Sequence, residues 1–494
     1  MPRVLRRLPL ALILGLALTP LARPSVVAAD AAAPLPWPQF RGPNGTGVAP
    51  EGSRPPTTFG PTQNARWKMA CPEGHSSPIV AGENLVLTAF QGQQLLTLAF
   101  RRNSGRVAWR RAIDAPHVEE VHPSLGSPAT PTPVTDGNQV YVFFGSFGLR
   151  AYALDGTERW SHPVALPQTE YGSSSSPVIA GDHVVQLLDQ DGGSYLLAVH
   201  RHNGEVAWKI DRPDMRRGFG TPVLWSHHGL TDLVVPGTLW LVGLDPASGQ
   251  ERWRVSGLAR ITCTTPVVSD DLLLTASWTT GGDRGAGRIE MPEWDAYLAQ
   301  HDADHDGRFT PAELPTGPVK ERIKHLDGNR NGYIEKTEWL SMADIFGRVE
   351  NQAFAVQADA QGTVSDGTVL WRFKRGLPYV ASPIAYRGRF YLVKNGGMLT
   401  CLDPRTGHAY YQEERLGAVG DYYASLTAAN GRIYAISRPG VVTVVKAGDT
   451  FQSLARNDLG EPVQATPAIA DNTLYLRTAT WLYAFEEPTP DQPR

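Results

Sequence analysis

The chain has 494 residues, a formal charge of −3 with both signs interspersed, and three cysteines. That balance offers no basic surface for nucleic acid or an anionic membrane. Cys71, Cys263 and Cys401 are too few and too scattered for a disulfide framework, so stability has to come from a core.

Residues 1–29 read as a signal peptide. Arg3, Arg6 and Arg7 open it, an apolar run from Leu8 to Leu18 follows, and Val27-Ala28-Ala29 supplies a cleavage site before Asp30. The run is short of the roughly 20 residues that a transmembrane helix needs, and no cysteine lies close behind it to take a lipid. The expectation is a periplasmic or secreted protein with no membrane anchor after cleavage. Residues 30–64 read as an N-terminal extension.

From there a repeat sets the organisation. A Ser/Thr-Pro pair returns at Ser77-Pro78, Thr132-Pro133, Ser176-Pro177, Thr221-Pro222, Thr265-Pro266, Ser382-Pro383 and Thr466-Pro467, and Ser425-Leu426 fills the remaining slot without proline. The spacings are 55, 44, 45, 44, 117, 43 and 41 residues. Each unit matches a four-stranded propeller blade, with one large insertion in the fifth. A second signature, glycine followed four residues later by an aromatic, recurs at Gly105/Trp109, Gly156/Trp160, Gly204/Trp208, Gly249/Trp253, Gly367/Trp371 and Gly407/Tyr411. Glycine suits the tight turn, and the aromatic then lies on the next strand, facing the neighbouring blade. Segments such as 84–90, 95–100, 139–144 and 149–154 have the composition of hairpin strands.

The two ends complete one another. After Pro467 only two strands are legible, 473–477 and 481–485, while an orphan strand with Trp67 lies at 65–69. The sequence therefore predicts an all-β, eight-bladed β-propeller of four-stranded antiparallel blades, its ring closed by the N-terminal strand. An open solenoid would require capping units rather than a split one. The propeller occupies 65–280 and 351–486, and 487–494 form a disordered tail.

The interruption at 281–350, between the second and third strands of blade five, carries the sharpest motif. Asp302, Asp304, Asp306, Gly307, Arg308, Thr310 and Glu313 form one twelve-residue loop, and Asp327, Asn329, Asn331, Gly332, Tyr333, Glu335 and Glu338 form another. Both fit the EF-hand pattern at every diagnostic position. Side-chain oxygens at loop positions 1, 3 and 5 would wrap one side of a calcium ion, and glycine at position 6 permits the sharp turn. Position 7 (Arg308, Tyr333) lends its carbonyl, position 9 (Thr310, Glu335) ligates directly or through water, and the glutamate at 12 closes the shell. Phe309 and Ile334 at position 8 suit a short β-contact between the loops. Helices are expected at 293–300, 320–326 and 339–346, forming a small α-helical module that binds two calcium ions. Pro315, Gly317 and Pro318 cut the exit helix of the first loop short, so a compact structural pair is expected rather than one that opens a target groove.

Trp37-Pro38-Gln39-Phe40-Arg41-Gly42-Pro43-Asn44-Gly45, the turns Leu244-Asp245-Pro246-Ala247-Ser248-Gly249 and Leu402-Asp403-Pro404-Arg405-Thr406-Gly407, and Asn457-Asp458-Leu459-Gly460-Glu461 resemble bacterial pyrroloquinoline-quinone-like repeat proteins. That superfamily includes the quinoprotein alcohol dehydrogenases and the outer-membrane assembly factor BamB. The resemblance spans about residues 37–486 outside the insertion and is specific for fold rather than activity. Relatives resembling the dehydrogenases hold a quinone (PQQ) over the propeller axis beneath a vicinal cysteine pair. Here no two cysteines are adjacent and no Cys-x-x-Cys-His occurs, which argues against quinone-dependent oxidation.

Strand alternation puts the insertion on the same face as the inter-blade segment 112–126, with His117, Glu119, Glu120 and His122. Asp189, Asp191, Arg216, Arg217, Lys394, Tyr422 and Tyr423 are further polar candidates on that face. A metal or acid–base role for the His/Glu group is weighed against solvated loop residues, and the latter is preferred. The functional expectation is an exported calcium-binding scaffold for a protein or glycan partner on this face. The alternatives are a PQQ-dependent oxidoreductase and a carbohydrate-active enzyme using the channel-mouth carboxylates.

Overall fold

The computed structural model describes residues 1–2, 35–283, 289–321 and 323–488. The signal-peptide reading at 1–29 and nearly all of the tail at 487–494 therefore lie outside the described residues. No helix among the described residues is long and apolar enough to cross a membrane.

Strand pairing gives eight four-stranded sheets, each antiparallel throughout. Blades one to four cover residues 79–114, 134–163, 178–211 and 223–256, and blades five to eight cover 267–373, 384–415, 427–458 and 468–485. Blade eight has three strands from the C-terminal end, and Ala65–Ala70 pairs with Trp481–Phe485 as its fourth. The expected closure is thus observed, and the N-terminal strand completes the eighth blade to four strands like the others. Within each blade the middle strands are almost wholly buried, as in Gln139–Phe144 and Gly148–Ala153, because both faces pack against neighbouring blades.

Two devices join the blades. On the outside, the tryptophan of one blade covers the turn glycine of the next. Trp67, Trp109, Trp160 and Trp371 donate their indole N–H to the carbonyls of Arg102, Leu154, Arg201 and Pro404 at 2.8–2.9 Å. Each of the covered glycines has positive φ, and a Cβ on Gly204 would lie 2.5 Å from the Trp160 ring, so both the turn and the contact demand glycine. Trp253 departs from the pattern and donates to the Asp232 carboxylate in its own blade at 2.6 Å.

On the inside, the Ser/Thr-Pro positions form a closed circuit. The Ser77 amide donates to the Thr132 hydroxyl, Thr132 to Ser176, Ser176 to Thr221 and Thr221 to Thr265. Thr265 continues to Ser382, Ser382 to Ser425, Ser425 to Thr466, and Thr466 returns to Ser77. All eight bonds fall between 2.9 and 3.1 Å. Ser425, whose proline is lost, keeps its place in the circuit. The hydroxyl, rather than the proline, is the indispensable half of the repeat.

The extension is part of the propeller. Residues 37–59 run across one end of the ring, where Trp37 and Pro38 accept from Val80 and Thr135 at 2.8 and 2.9 Å. Asn44 brackets the Leu224 backbone at 2.7 and 3.0 Å, and Val48 bridges Ala428 in parallel. This strap thereby ties blades one, two, four and seven. Arg41 within it is fully buried, donates to the Pro383 carbonyl, and has its pKa lowered to about 9 by desolvation.

Thr265→Val leaves the buried Thr221 amide without an acceptor. It should cost about 1–3 kcal/mol, read as a lowered urea midpoint, while Thr265→Ser should stay near wild type.

Candidate functional site: the inserted module and the axial cavity

The insertion lies between Leu272–Ser277 and Gln352–Gln357, the second and third strands of blade five. Residues 284–288, within the expected 281–350 insertion, lie outside the described residues. Helix α1 covers Trp294–His301, α2 Pro318–Glu321, α3 Ile323–Leu326 and α4 Lys336–Arg348. The first matches the expected 293–300 within a residue, and the expected 320–326 helix corresponds to α2 and α3. The last helix starts at Lys336 rather than at 339. The reason is a capping box, in which Glu335 and Glu338 satisfy the backbone amides of the first turn from within the loop. No helix is assigned between Thr310 and Gly317, in keeping with the prolines there.

The two loops have the same internal design. Asp302 Oδ2 accepts from Gly307 at 3.0 Å, as Asp327 Oδ2 does from Gly332. Glu313 accepts from Ala303 and Thr310, and Glu338 from Gly328 and Glu335, so each position-12 glutamate is folded back over its loop. His305 and Arg330 at position 4 and Gly307 and Gly332 at position 6 all have positive φ. Phe309 and Ile334 exchange backbone hydrogen bonds of 3.1 and 2.8 Å, the contact expected from position 8. The side chains of Asp302, Asp304 and Asp306 bring oxygens within 4.8 Å of one another. Asp302 Oδ1 is buried there without a hydrogen-bond partner. Arg308 instead turns its side chain outward to Asp306 Oδ2 at 2.8 Å and over the Tyr333 ring. Asn329 and Asn331 accept from the amides of Asn331 and Tyr333.

Beneath the loops, Trp294, Phe309, Ile334, Trp339 and Met342 form a core that continues into Leu239 of blade four. This packing seats the module on the propeller, and polar contacts fix its register. Arg216 donates to Ser341, Arg330 faces Glu120 at 3.9 Å, and the Gly328 carbonyl, at loop position 2, rests on Gly192. His325 Nδ1 lies 2.8 Å from Arg217 Nη2 and accepts from it. Arg217 also holds Asp191 at 2.5 Å and Glu170 at 2.9 Å. Burial and the adjacent Arg217 lower the His325 pKa to about 4, so its imidazole is neutral and able to accept.

His325 lines the mouth of a cavity of about 300 Å³ on the propeller axis. Tyr171, Phe219, Arg260, Tyr379 and Tyr423 surround the mouth, Phe40 of the strap lines the cavity, and Cys263 forms part of its wall. Of the polar residues proposed from sequence, Arg217 and Tyr423 line this space. Asp189 pairs with Arg212 at 2.8 Å, Lys394 with Glu413 at 3.1 Å, and the Tyr422 hydroxyl donates to Ala418. His117, Glu119, Glu120 and His122 do not converge. Glu119 points inward to Ser173, Glu120 outward to Arg330, and His122 stacks on Tyr171. Among the described residues, Asp302, Asp304 and Asp306 alone form a metal-competent cluster of His, Cys, Asp or Glu side chains. Sequence reasoning missed His325, Glu170, Tyr171 and Tyr379, which come from three separate segments with no shared motif. Phe40 lay inside a quoted motif but had no partner until the strap was placed.

The eight-bladed ring with docked tryptophans defines the class, a propeller built of quinoprotein-type repeats. The chain belongs to the family described as outer membrane protein assembly factor BamB, whose family profile matches residues 59–235 and 347–489, leaving 236–346, which include nearly all of the inserted module, unmatched. BamB from Moraxella catarrhalis is similar in fold, with 12% identity and a TM-score of 0.54 over 85% of this chain and 98% of that one. Quinohemoprotein alcohol dehydrogenase from Comamonas testosteroni is 13% identical, with a TM-score of 0.51 over 94% of this chain and 83% of that one. No curated protein matches the sequence.

Two predictions follow from the packing around the module. A Cβ at position 192 would meet the Gly328 carbonyl oxygen at 2.0 Å. Gly192→Ala should therefore lift loop two from blade three and speed proteolytic cutting within 284–350, with little change in the melting of the ring. Glu119 is buried, and desolvation raises its pKa from 4.5 to about 7 against the opposing bonds from Ser173. A carboxyl raised on folding stabilises the protein below its unfolded pKa, and that stability is lost as pH rises through the folded value. Unfolding free energy should fall between about pH 4.5 and 7, and Glu119→Gln should flatten that part of the profile.

Proposed function

We propose that the protein is an exported calcium-binding propeller scaffold in which two calcium ions order the inserted module against the ring. The observation that carries this reading is the buried, unpartnered Asp302 Oδ1 beside Asp304 and Asp306. A buried carboxylate oxygen without a donor is costly, and a hard divalent cation answers that cost with oxygen ligands. Asp302, Asp304, Asp306, Thr310, Glu313 and the Arg308 carbonyl would hold one ion. Asp327, Asn329, Asn331, Glu335, Glu338 and the Tyr333 carbonyl would hold the other. Calcium at about a hundredfold above its dissociation constant would contribute roughly 2.7 kcal/mol of stability.

The scaffold part rests on family membership and on the broad face that carries the module, where a protein or glycan partner would bind. Export is supported by the basic and apolar start of the sequence. A quinone is not supported: Cys263 lines the axial cavity, with Cys71 and Cys401 far from it in sequence and no vicinal pair available.

The test is calorimetric titration of chelator-treated protein with calcium, beside a Glu313→Gln, Glu338→Gln double variant. Two sites in the native protein and their loss in the variant are expected. No uptake at millimolar calcium would overturn the calcium reading and leave the propeller without its proposed metal.

A further inference from the structure

We propose that the axial cavity is a binding site for a single sugar residue, held by the inner hydroxyl circuit and the tyrosines at the mouth. This goes beyond the calcium reading and is tested separately from it.

Six of the eight circuit residues, Ser77, Thr132, Ser176, Ser382, Ser425 and Thr466, all buried, border the cavity. Each oxygen already accepts one amide hydrogen bond from the preceding blade in the circuit. None of these hydroxyls donates to a protein acceptor among the described residues, so six O–H protons around one axis are uncommitted. The phenol groups of Tyr171, Tyr379 and Tyr423 likewise make no hydrogen bond among the described residues. A hydroxyl can both donate and accept, as a polyol requires of its surroundings. Tyrosine and phenylalanine rings add apolar faces suited to the C–H faces of a sugar ring.

Arg217 and His75 suit the same class of ligand, and Glu170 and Arg260 border the cavity beside them. Arg217 has its donors engaged by Asp191, Glu170 and His325, so it is not left open for a free anion. His75 is held neutral, with burial the main cause and Arg477 and Arg438 adding to it, and it presents an uncharged imidazole. The volume, about 300 Å³, is at the lower end for small-molecule pockets and suits one residue at the end of a glycan. The module completes the lining through His325, so the site exists only in the full chain.

The test uses the full mature chain and NMR titration with glucose, N-acetylglucosamine, glucuronate and acetate. Saturable shifts with a neutral sugar and none with acetate are expected. Thr280 is exposed at the cavity lining, and Thr280→Trp should block entry and weaken binding at least about tenfold without moving the melting temperature. A Tyr379→Phe, Tyr423→Phe double variant should weaken binding severalfold while retaining its fold. No shift with any sugar would overturn the proposal, as would a response to glucuronate that acetate reproduces, which would mark an anion site. Because calcium uptake is read at the loops and sugar at the axis, failure of either leaves the other standing.

Discussion

Eight amide-to-hydroxyl hydrogen bonds, passed from blade to blade around the axis, are the constraint on which the rest of the structure depends. Each inner strand begins with a buried amide that its own sheet does not satisfy, and the neighbouring blade supplies the acceptor. A buried donor left unmade costs more than an ordinary hydrogen bond returns, so the ring is most stable when every link is present. This explains why the fifth blade, interrupted by the whole module, still presents Thr265 in register. It also explains why Ser425 survives where its proline does not. The outer tryptophans stabilise the same interfaces by burying aromatic surface over glycine turns, and the two devices together hold each blade at its inner and outer margins.

The strap and the module then turn a ring into a vessel. A ring closed by hydrogen bonds has an open axis at both ends. Residues 37–59 cover one end, with Arg41 buried among backbone carbonyls and Phe40 facing the cavity. The module overhangs the other end, seated by an aromatic core and anchored through His325 and Arg217. Asp191 and Glu170 in turn offset the charge of Arg217, which is buried and would otherwise be costly. The inserted helices and the axial space are therefore one mechanical unit, in which loop two begins two residues after a side chain at the cavity mouth.

Much of this was legible because it is periodic. Ser/Thr-Pro and glycine-aromatic pairs recur at blade spacing, and Trp67 without a blade of its own pointed to closure by the first strand. The loop ligands were legible because Asp302 to Glu313 and Asp327 to Glu338 are contiguous, so their convergence is local. The start of α4 was misplaced because Glu335 and Glu338 serve both loop and helix cap, and a ligand pattern does not reveal a cap. The His/Glu segment looked like a possible centre because its residues are near in sequence. In the fold Glu119 and Glu120 face opposite ways, as adjacent residues in extended backbone do.

The sequence by itself determined the blade count, the closure, the place of the insertion and the two loop patterns, since each follows from local geometry repeated along the chain. Tertiary structure alone decided that six of the eight circuit residues border a shared cavity. It also decided that the N-terminal segment covers one end of that cavity and that His325 meets Arg217 across 108 residues of chain. Those contacts join segments with no common period, and their position depends on how the blades curve around the axis, which no local pattern encodes.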